Sequence, residues 1–354
     1  MVKVAPVLRS AGLVGLTHTV WLSGQHSESI DDLIADFGIR SEFCRPQRSS
    51  ERATIARLLA WLPGAVIDCY RYVHRTAAQR AERPLVIVHG DTLSTLVSAI
   101  AGKLAGGDIV HLESGLTSGR LLDPFPEEIL RRVTFRLTRY AVCPNDSASR
   151  KMRDYRCKEI VDTGENTVLD CVRYALNHID DHDVGTGDSY FVASIHRAQN
   201  IYLKSRLARI VEEILSVSAF GKVHFVLHPA TRKRLISTGL WRNLSASPSI
   251  RLEPRMPYSA FLTLLAHARG VFSDGGSNQE ELSYLGVPTV LFRDRTERPE
   301  GLGRNIVLRD SIDELTGFVR SGQIDLLRQP RRLQLDVKPS ETVVDALYRW
   351  STRP

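Results

Sequence analysis

Short runs of β-branched and aliphatic residues alternate with longer amphipathic stretches along the whole chain, the signature of βα units feeding parallel sheets. In the first half the apolar runs predict strands at 17–23, 85–89, 108–112, 140–144 and 159–163. Helical spacing of apolar positions between them predicts helices at 29–37, 53–74, 92–104, 127–138 and 148–154. Polarity then rises across 177–188, and a domain linker is expected there. The pattern restarts with strands at 190–195, 222–227, 249–252, 270–272, 289–292 and 305–308, interleaved with helices at 203–216, 230–238, 258–267 and 311–319. Two serial α/β halves without an internal repeat predict two Rossmann-like domains facing across a cleft. Ligands in such folds bind beyond the carboxyl ends of the strands.

The stretch from Ser273 to Glu300 sits at such an end, because it follows the apolar run Gly270-Val271-Phe272. Gly275 and Gly276 permit close backbone approach, and a helix starting near Ser277 aims unpaired N–H groups and a positive dipole end at an anion. Glu280 and Glu281 lie one turn further on, where a carboxylate accepts hydrogen bonds from sugar hydroxyls. Arg293, Arg295 and Arg298 supply charge for phosphate. A diphosphate carrying ribose satisfies all of these groups together. The plainer alternative is a glycine-rich strand-to-helix turn with a solvated acidic first turn.

Other chemistry falls at the remaining strand ends. Asp91 follows strand 85–89 and is also placed to cap the next helix, while Glu113 follows strand 108–112 and has no local capping duty. Pro126-Glu127-Glu128 opens a helix, where proline suits the first turn and acids suit the dipole. Together these carboxyls read as an acid/base set, since two proton transfers need groups with different surroundings. In the second half His196 and Arg197 follow strand 190–195 and His228 follows strand 222–227, positions from which they would meet a diphosphate.

Length and composition narrow the picture. At 354 residues the chain exceeds what one core organises, and apolar and charged fractions of 43% and 25% are those of an ordinary globular protein. The net charge of +7 is spread over arginines from Arg40 to Arg353 without a dominant run, so an anionic small molecule is expected and nucleic acid is not. Neither a membrane span nor a signal layout is present, and a cytoplasmic location is expected. Cys44, Cys69, Cys143, Cys157 and Cys171 form no zinc-spaced cluster and read as buried thiols; no metal is inferred.

In this order, Gly24-Gln25-His26, His89-Gly90-Asp91-Thr92, His111-Leu112-Glu113-Ser114-Gly115-Leu116, Pro126-Glu127-Glu128, Thr163-Gly164-Glu165-Asn166-Thr167-Val168, Ile195-His196-Arg197, Leu227-His228-Pro229, Asp274 to Gly286 and Thr296-Glu297-Arg298-Pro299-Glu300 span nearly the whole chain. The set resembles the UDP-N-acetylglucosamine 2-epimerase family, the non-hydrolysing bacterial type and its hydrolysing relatives. The resemblance implies a GT-B-like α/β fold, with an N-terminal domain of 1–176 plus 338–354, a UDP-binding domain of 177–337, and a last helix at 341–350 crossing back to the first. It implies inversion at carbon 2 by expulsion and re-addition of UDP, without NAD or metal. It assigns proton handling to Asp91, Glu113 and Glu127 and assistance of the diphosphate to His196. UDP-sugar contacts would come from Lys3, Arg197, His228, Phe261, Gly275, Gly276, Ser277, Glu281 and Arg298. A homodimer acting on a UDP-sugar, with no nucleic-acid or membrane partner, is expected.

Departures from the family pattern qualify this. Residues 1–9 look like the family's first helix, while the strand and Gly-Thr-Arg-Pro-Glu loop that precede it have no counterpart; either the true start lies upstream or the chain is a truncated, inactive form. The family's Ser-Gly-Gly-Ile reads Gly275-Gly276-Ser277-Asn278, Thr117 stands where an arginine often follows, and Ser27 replaces an arginine of substrate-regulated members. Three alternatives stay open: a hydrolysing epimerase releasing UDP and N-acetylmannosamine, a GT-B glycosyltransferase, and an inactive UDP-sugar-binding paralogue.

Overall fold

The computed structural model describes residues 1–22, 28–44, 55–80, 83–117, 119–120, 126–177, 189–296 and 298–352. Gly24-Gln25-His26, Ser27, Glu297 and all but the first residue of the expected linker lie outside them. The chain divides into two compact units, Met1–Cys171 with Asp336–Pro354, and Val172–Leu335. Each is α/β with parallel sheets. No helix among the described residues is long and apolar enough to cross a membrane.

Unit 1 holds β1 (Thr19–Trp21) and β2 (Glu42–Cys44) as one parallel pair. A second sheet runs β3 (Leu85–His89), β4 (Asp108–Leu112), β5 (Tyr140–Cys143) and β6 (Glu159–Asp162), in that order. Strand periodicity divides its side chains cleanly. Val110, Leu112, Tyr140 and Val142 pack with Val7 and Ala11 of helix Ala5–Leu13 and with Val343, Leu347 and Trp350 of helix Pro339–Ser351. The final helix therefore belongs to unit 1, and Trp350 stacks on Tyr140 with centroids 4.4 Å apart. Ala141 and Cys143 face the other way, onto Phe135 and Met152. Cys69, Cys143 and Cys171 are buried thiols and Cys44 and Cys157 half-buried ones, with no disulfide among the described residues.

Unit 2 is one six-stranded sheet of β7 (Tyr190–Ser194), β8 (Lys222–Val226), β9 (Ile250–Glu253), β10 (Gly270–Ser273), β11 (Thr289–Leu291) and β12 (Ile306–Leu308). Its order is β12-β11-β10-β7-β8-β9, so the direction of winding reverses between β7 and β10. That is the point where an open α/β sheet presents a crevice to ligands. Phe191, Phe225, Phe272 and Phe292 centre the core.

The helix predicted at 311–319 is a correction: the chain makes a 3-10 turn at Arg309–Ser311 and a helix only at Leu315–Arg320. Arg309, held by Glu213, donates to the Ile312 carbonyl at 2.5 Å, and Ile312 and Glu314 are extended. Helical bonding cannot start until after them.

Candidate active site

Because the Gly90 N–H bonds the Leu112 carbonyl at 3.2 Å, the residues following β3 and β4 leave the unit 1 sheet side by side. Glu113 is the one non-glycine residue with left-handed backbone among the described residues, at φ 63°. Such a conformation costs about 1–3 kcal/mol and persists only where its surroundings fix it. Here Lys3 Nζ lies 2.5 Å and Asn166 Nδ2 3.0 Å from Oε1. His89 Nε2 stands 3.3 Å from Oε2, near enough for an ion pair but not aligned for a hydrogen bond. Lys3 is buried, so the pair is shielded from screening water. Two residues on, Gly115 has φ 84°, and a Cβ there would fall 2.2 Å from the Ala148 carbonyl, so this turn closes only on glycine.

Asp91 does not cap the following helix, Leu93–Leu104. Thr92 does, its hydroxyl accepting the Thr95 N–H at 3.4 Å. Asp91 Oδ2 bonds instead to Arg131 Nη2, on helix Glu127–Leu137. Arg131 Nη1 in turn lies 2.8 Å from Glu128 Oε2, while Glu128 Oε1 takes Arg132 Nε at 2.8 Å and the Thr117 hydroxyl. Glu128 is wholly buried. Its neighbour Glu127 is half-buried, and its Oε2 has no hydrogen-bond partner among the described residues. An unsatisfied buried oxygen costs about 1–3 kcal/mol, which makes it receptive to a proton or a ligand donor.

Behind the two tips His111 is fully buried, its Nε2 2.8 Å from the Gly90 carbonyl and its Nδ1 3.0 Å from Ser114 Oγ. Burial pushes its pKa down to about 4. The ring is neutral near pH 7, donating through Nε2 and accepting at Nδ1, and so ties the β3 turn to the β4 turn.

In unit 2 the organising group is Asp274, fully buried at the end of β10. It accepts the backbone N–H of His196 at 3.0 and 3.1 Å, that of Arg197 at 2.9 Å and Asn200 Nδ2 at 2.8 Å. His196 Nδ1 also lies 3.2 Å from it, which orients the half-exposed ring. Gly275 opens helix Gly276–Leu285 with no side-chain cap, and a Cβ on it would come within 3.0 Å of His196 Cε1. The N-cap glycine offers that helix start no side-chain acceptor, and Ser277 beside it is exposed.

The acids of this helix are not solvated. Glu280 and Glu281 are buried, which removes the solvated acidic turn from the plainer reading of the stretch. Glu280 Oε1 takes Arg298 Nη1 at 2.5 Å, and Glu281 accepts from Tyr258 at 3.1 Å and Asn278 at 3.2 Å. Gln279 clamps the loop beyond β11 by donating to the carbonyls of Arg298 and Glu300 at 2.8 and 3.0 Å and accepting from Thr296 at 2.7 Å. Arg293, also buried, donates to the Thr296 hydroxyl at 3.1 Å. Phe261 is half-buried on helix Tyr258–Ala266. His228 caps helix Pro229–Thr238 by accepting the Ala230 N–H at 3.4 Å, and its ring lies 5.9 Å from that of His196.

The model of the family described as UDP-N-acetylglucosamine 2-epimerase matches residues 14–312. The chain belongs to that family. Within the UDP-N-acetylglucosamine 2-epimerase family it is 33% identical over 249 residues to the enzyme of Methanocaldococcus jannaschii, covering 66% of this chain and 67% of that one. It is 25% identical over 323 residues to that of Yersinia pestis, covering 87% and 82%. Among solved structures it is similar to the Methanocaldococcus jannaschii UDP-GlcNAc 2-epimerase in complex with UDP-GlcNAc and UDP, at 26% identity and a TM-score of 0.78, over 98% of this chain and 96% of that one.

Within unit 1 the structure thus brings together Lys3, Asp91, Glu113 and the helix that carries Glu127. Within unit 2 it brings together His196, Arg197, His228 and the turn at Gly275, Gly276 and Ser277, with Glu281 and Arg298 on the same helix and its flanking loop. Sequence reasoning passed over His89, Asn166, Arg131 and Asp274 as site residues. A signal existed for Arg131, an arginine three residues after a helical glutamate. Asp274 lay in plain view before the glycines, but its partner is 78 residues away.

Proposed function

We propose that the chain inverts carbon 2 of UDP-N-acetylglucosamine, yielding UDP-N-acetylmannosamine. What carries the reading, beyond family membership, is a set of carboxyls in unit 1 with unlike surroundings: Asp91 on a guanidinium, Glu113 on an ammonium and an amide, Glu127 with a buried oxygen that has no partner among the described residues. Proton transfer in two directions calls for such differences. One carboxyl takes the C2 proton as the C1–O bond breaks. The C–H electrons become the C1=C2 double bond of a glycal, and the C–O electrons leave on the β-phosphate oxygen. Another carboxyl returns a proton to the opposite face of C2, and the phosphate oxygen adds back to C1.

Unit 2 supplies the hold on UDP in this reading. His196, oriented by Asp274, meets the charge that develops on the departing phosphate, with Arg197 and His228 beside it. Gly275, Gly276 and Ser277 take the phosphates, Glu281 the ribose hydroxyls and Phe261 the uracil region. Arg298 and Lys3 lend charge, each already fixed by a glutamate. A cytoplasmic homodimer completes the proposal; sedimentation at twice the chain mass would support the dimer, and sedimentation at the chain mass would remove it.

Incubation with UDP-GlcNAc in deuterated water tests it. Deuterium at C2 of recovered UDP-ManNAc is the expected outcome. Deuterated free N-acetylmannosamine with UDP would move the assignment to hydrolysis, and transfer of the sugar to an acceptor without exchange would move it to a glycosyltransferase.

A further inference from the structure

We propose that Arg131 is a positioning residue for Asp91, and that buried Glu128 is the anchor that aims it. This rests on the epimerase reading of the site. Arg131 is 8% exposed and Glu128 0%, so neither is a solvated surface charge. The guanidinium spans two carboxylates with different nitrogens, Nη1 to Glu128 and Nη2 to Asp91. A planar fork held at one prong has little freedom at the other, a property that a lysine ammonium does not share. Glu128 is fixed in turn by Arg132 and by the Thr117 hydroxyl. A continuous chain of charge-assisted bonds therefore runs from Thr117 through Glu128 and Arg131 to Asp91.

Of the two carboxylates on the fork only Asp91 is accessible, with 32% of its side chain exposed against none for Glu128. Its Oδ2 is occupied by Arg131, which leaves Oδ1 as the oxygen that can take a proton. Glu127 and Glu128, adjacent on one helical turn, divide their duties accordingly: Glu127 has an oxygen with no partner among the described residues, and Glu128 spends both of its oxygens inside the protein. The competing account is that Arg131 and Glu128 form an ordinary pair three residues apart that only steadies the helix.

The two accounts differ in kinetics. A reacting group displaced by about 1 Å loses on the order of 100-fold in rate, while contacts that bind substrate and transition state equally alter KM alone. Arg131→Met is expected to lower kcat about 100-fold with KM and UDP affinity within about twofold, and Arg131→Lys to restore only part of that loss. Glu128→Gln should lower kcat about 10-fold, and the double variant should be no slower than Arg131→Met, because both substitutions cut one chain. Rates are taken per folded molecule, from circular dichroism of the same samples. Should Arg131→Met fail to fold, Arg131→Lys and Glu128→Gln carry the test. A wild-type kcat per folded molecule in these variants, with the damage confined to melting temperature, overturns the proposal. If the wild-type protein itself gives no exchange at C2, the epimerase reading has failed instead.

Discussion

Units 1 and 2 share one device, a buried carboxylate that holds another side chain. In unit 2 a buried carboxylate, Asp274, holds His196; in unit 1 a buried carboxylate, Glu128, holds Arg131, which holds Asp91. The difference lies in where the groups come from. Several polar groups of helix Gly276–Leu285 bond to one another and to Thr296, Arg298 and Glu300, so that one helix and its flanking loop frame the exposed Ser277. Unit 1 draws Lys3, His89, Asp91, Glu113, Glu127, Arg131 and Asn166 from several elements, and Glu127 Oε2 has no hydrogen-bond partner among the described residues. Holding an anion can be done by one helix end. Moving protons needs carboxyls in unlike surroundings, and these have to come from different strands and helices.

The strongest way to break this contrast is to neutralise the unit 1 carboxyls one at a time. Asp91→Asn, Glu113→Gln and Glu127→Gln should each lower kcat about 10²- to 10⁴-fold, with UDP affinity by calorimetry within about twofold. A carboxyl variant that loses UDP instead of turnover removes the distinction between the units. Next in size is packing: Trp350→Ala deletes the ring stacked on Tyr140 and should cost about 3–5 kcal/mol in denaturant unfolding. A loss below about 1 kcal/mol would mean that the last helix is peripheral to unit 1.

His111 sharpens the contrast through pH. Its folded pKa of about 4 lies below the ordinary 6.5, so between those values the unfolded chain binds a proton that the folded chain refuses. Stability contributed by neutral His111 is therefore full above about pH 6.5 and falls by about 3 kcal/mol as the pH drops to about 4. Replacement by Gln should flatten that acid slope; an unchanged slope would assign it to other groups. The smallest effect is expected from Glu281→Gln, with UDP binding weakened about tenfold, or about 1.4 kcal/mol, and kcat within about threefold. A kcat loss as large as that of the unit 1 carboxyls would merge the two roles.

What the sequence made legible follows from the range of the interactions. β3 and β4 have the bounds that their apolar runs predict, and the glycine turn before Ser277 could be read because strand, turn and helix start are contiguous. β2 went unseen, since Glu42–Cys44 is three residues with an exposed glutamate and its pairing to β1 is non-local. Helix Val168–Asn177 was missed because its buried Val168, Leu169, Cys171 and Val172 sit against a polar stretch that reads as linker. At the site, the sequence offered Glu128 a capping role or a place in the acid/base set, whereas in the structure it holds Arg131 and Arg132. Glu113 stands out in the sequence for lacking a capping duty, but neither the local pattern nor the resemblance, which gives Lys3 to the phosphate side, pointed to its pairing with Lys3, 110 residues away.

Solvent exchange at C2 and UDP affinity, measured on the same samples, test the division of labour most directly. In deuterated water with saturating UDP-GlcNAc, wild type and Glu281→Gln should incorporate deuterium at C2 at rates within about threefold of each other, while Asp91→Asn should incorporate it at least about 100-fold more slowly and still bind UDP with wild-type affinity. Exchange at the wild-type rate in Asp91→Asn, or its failure to bind UDP, would contradict the account.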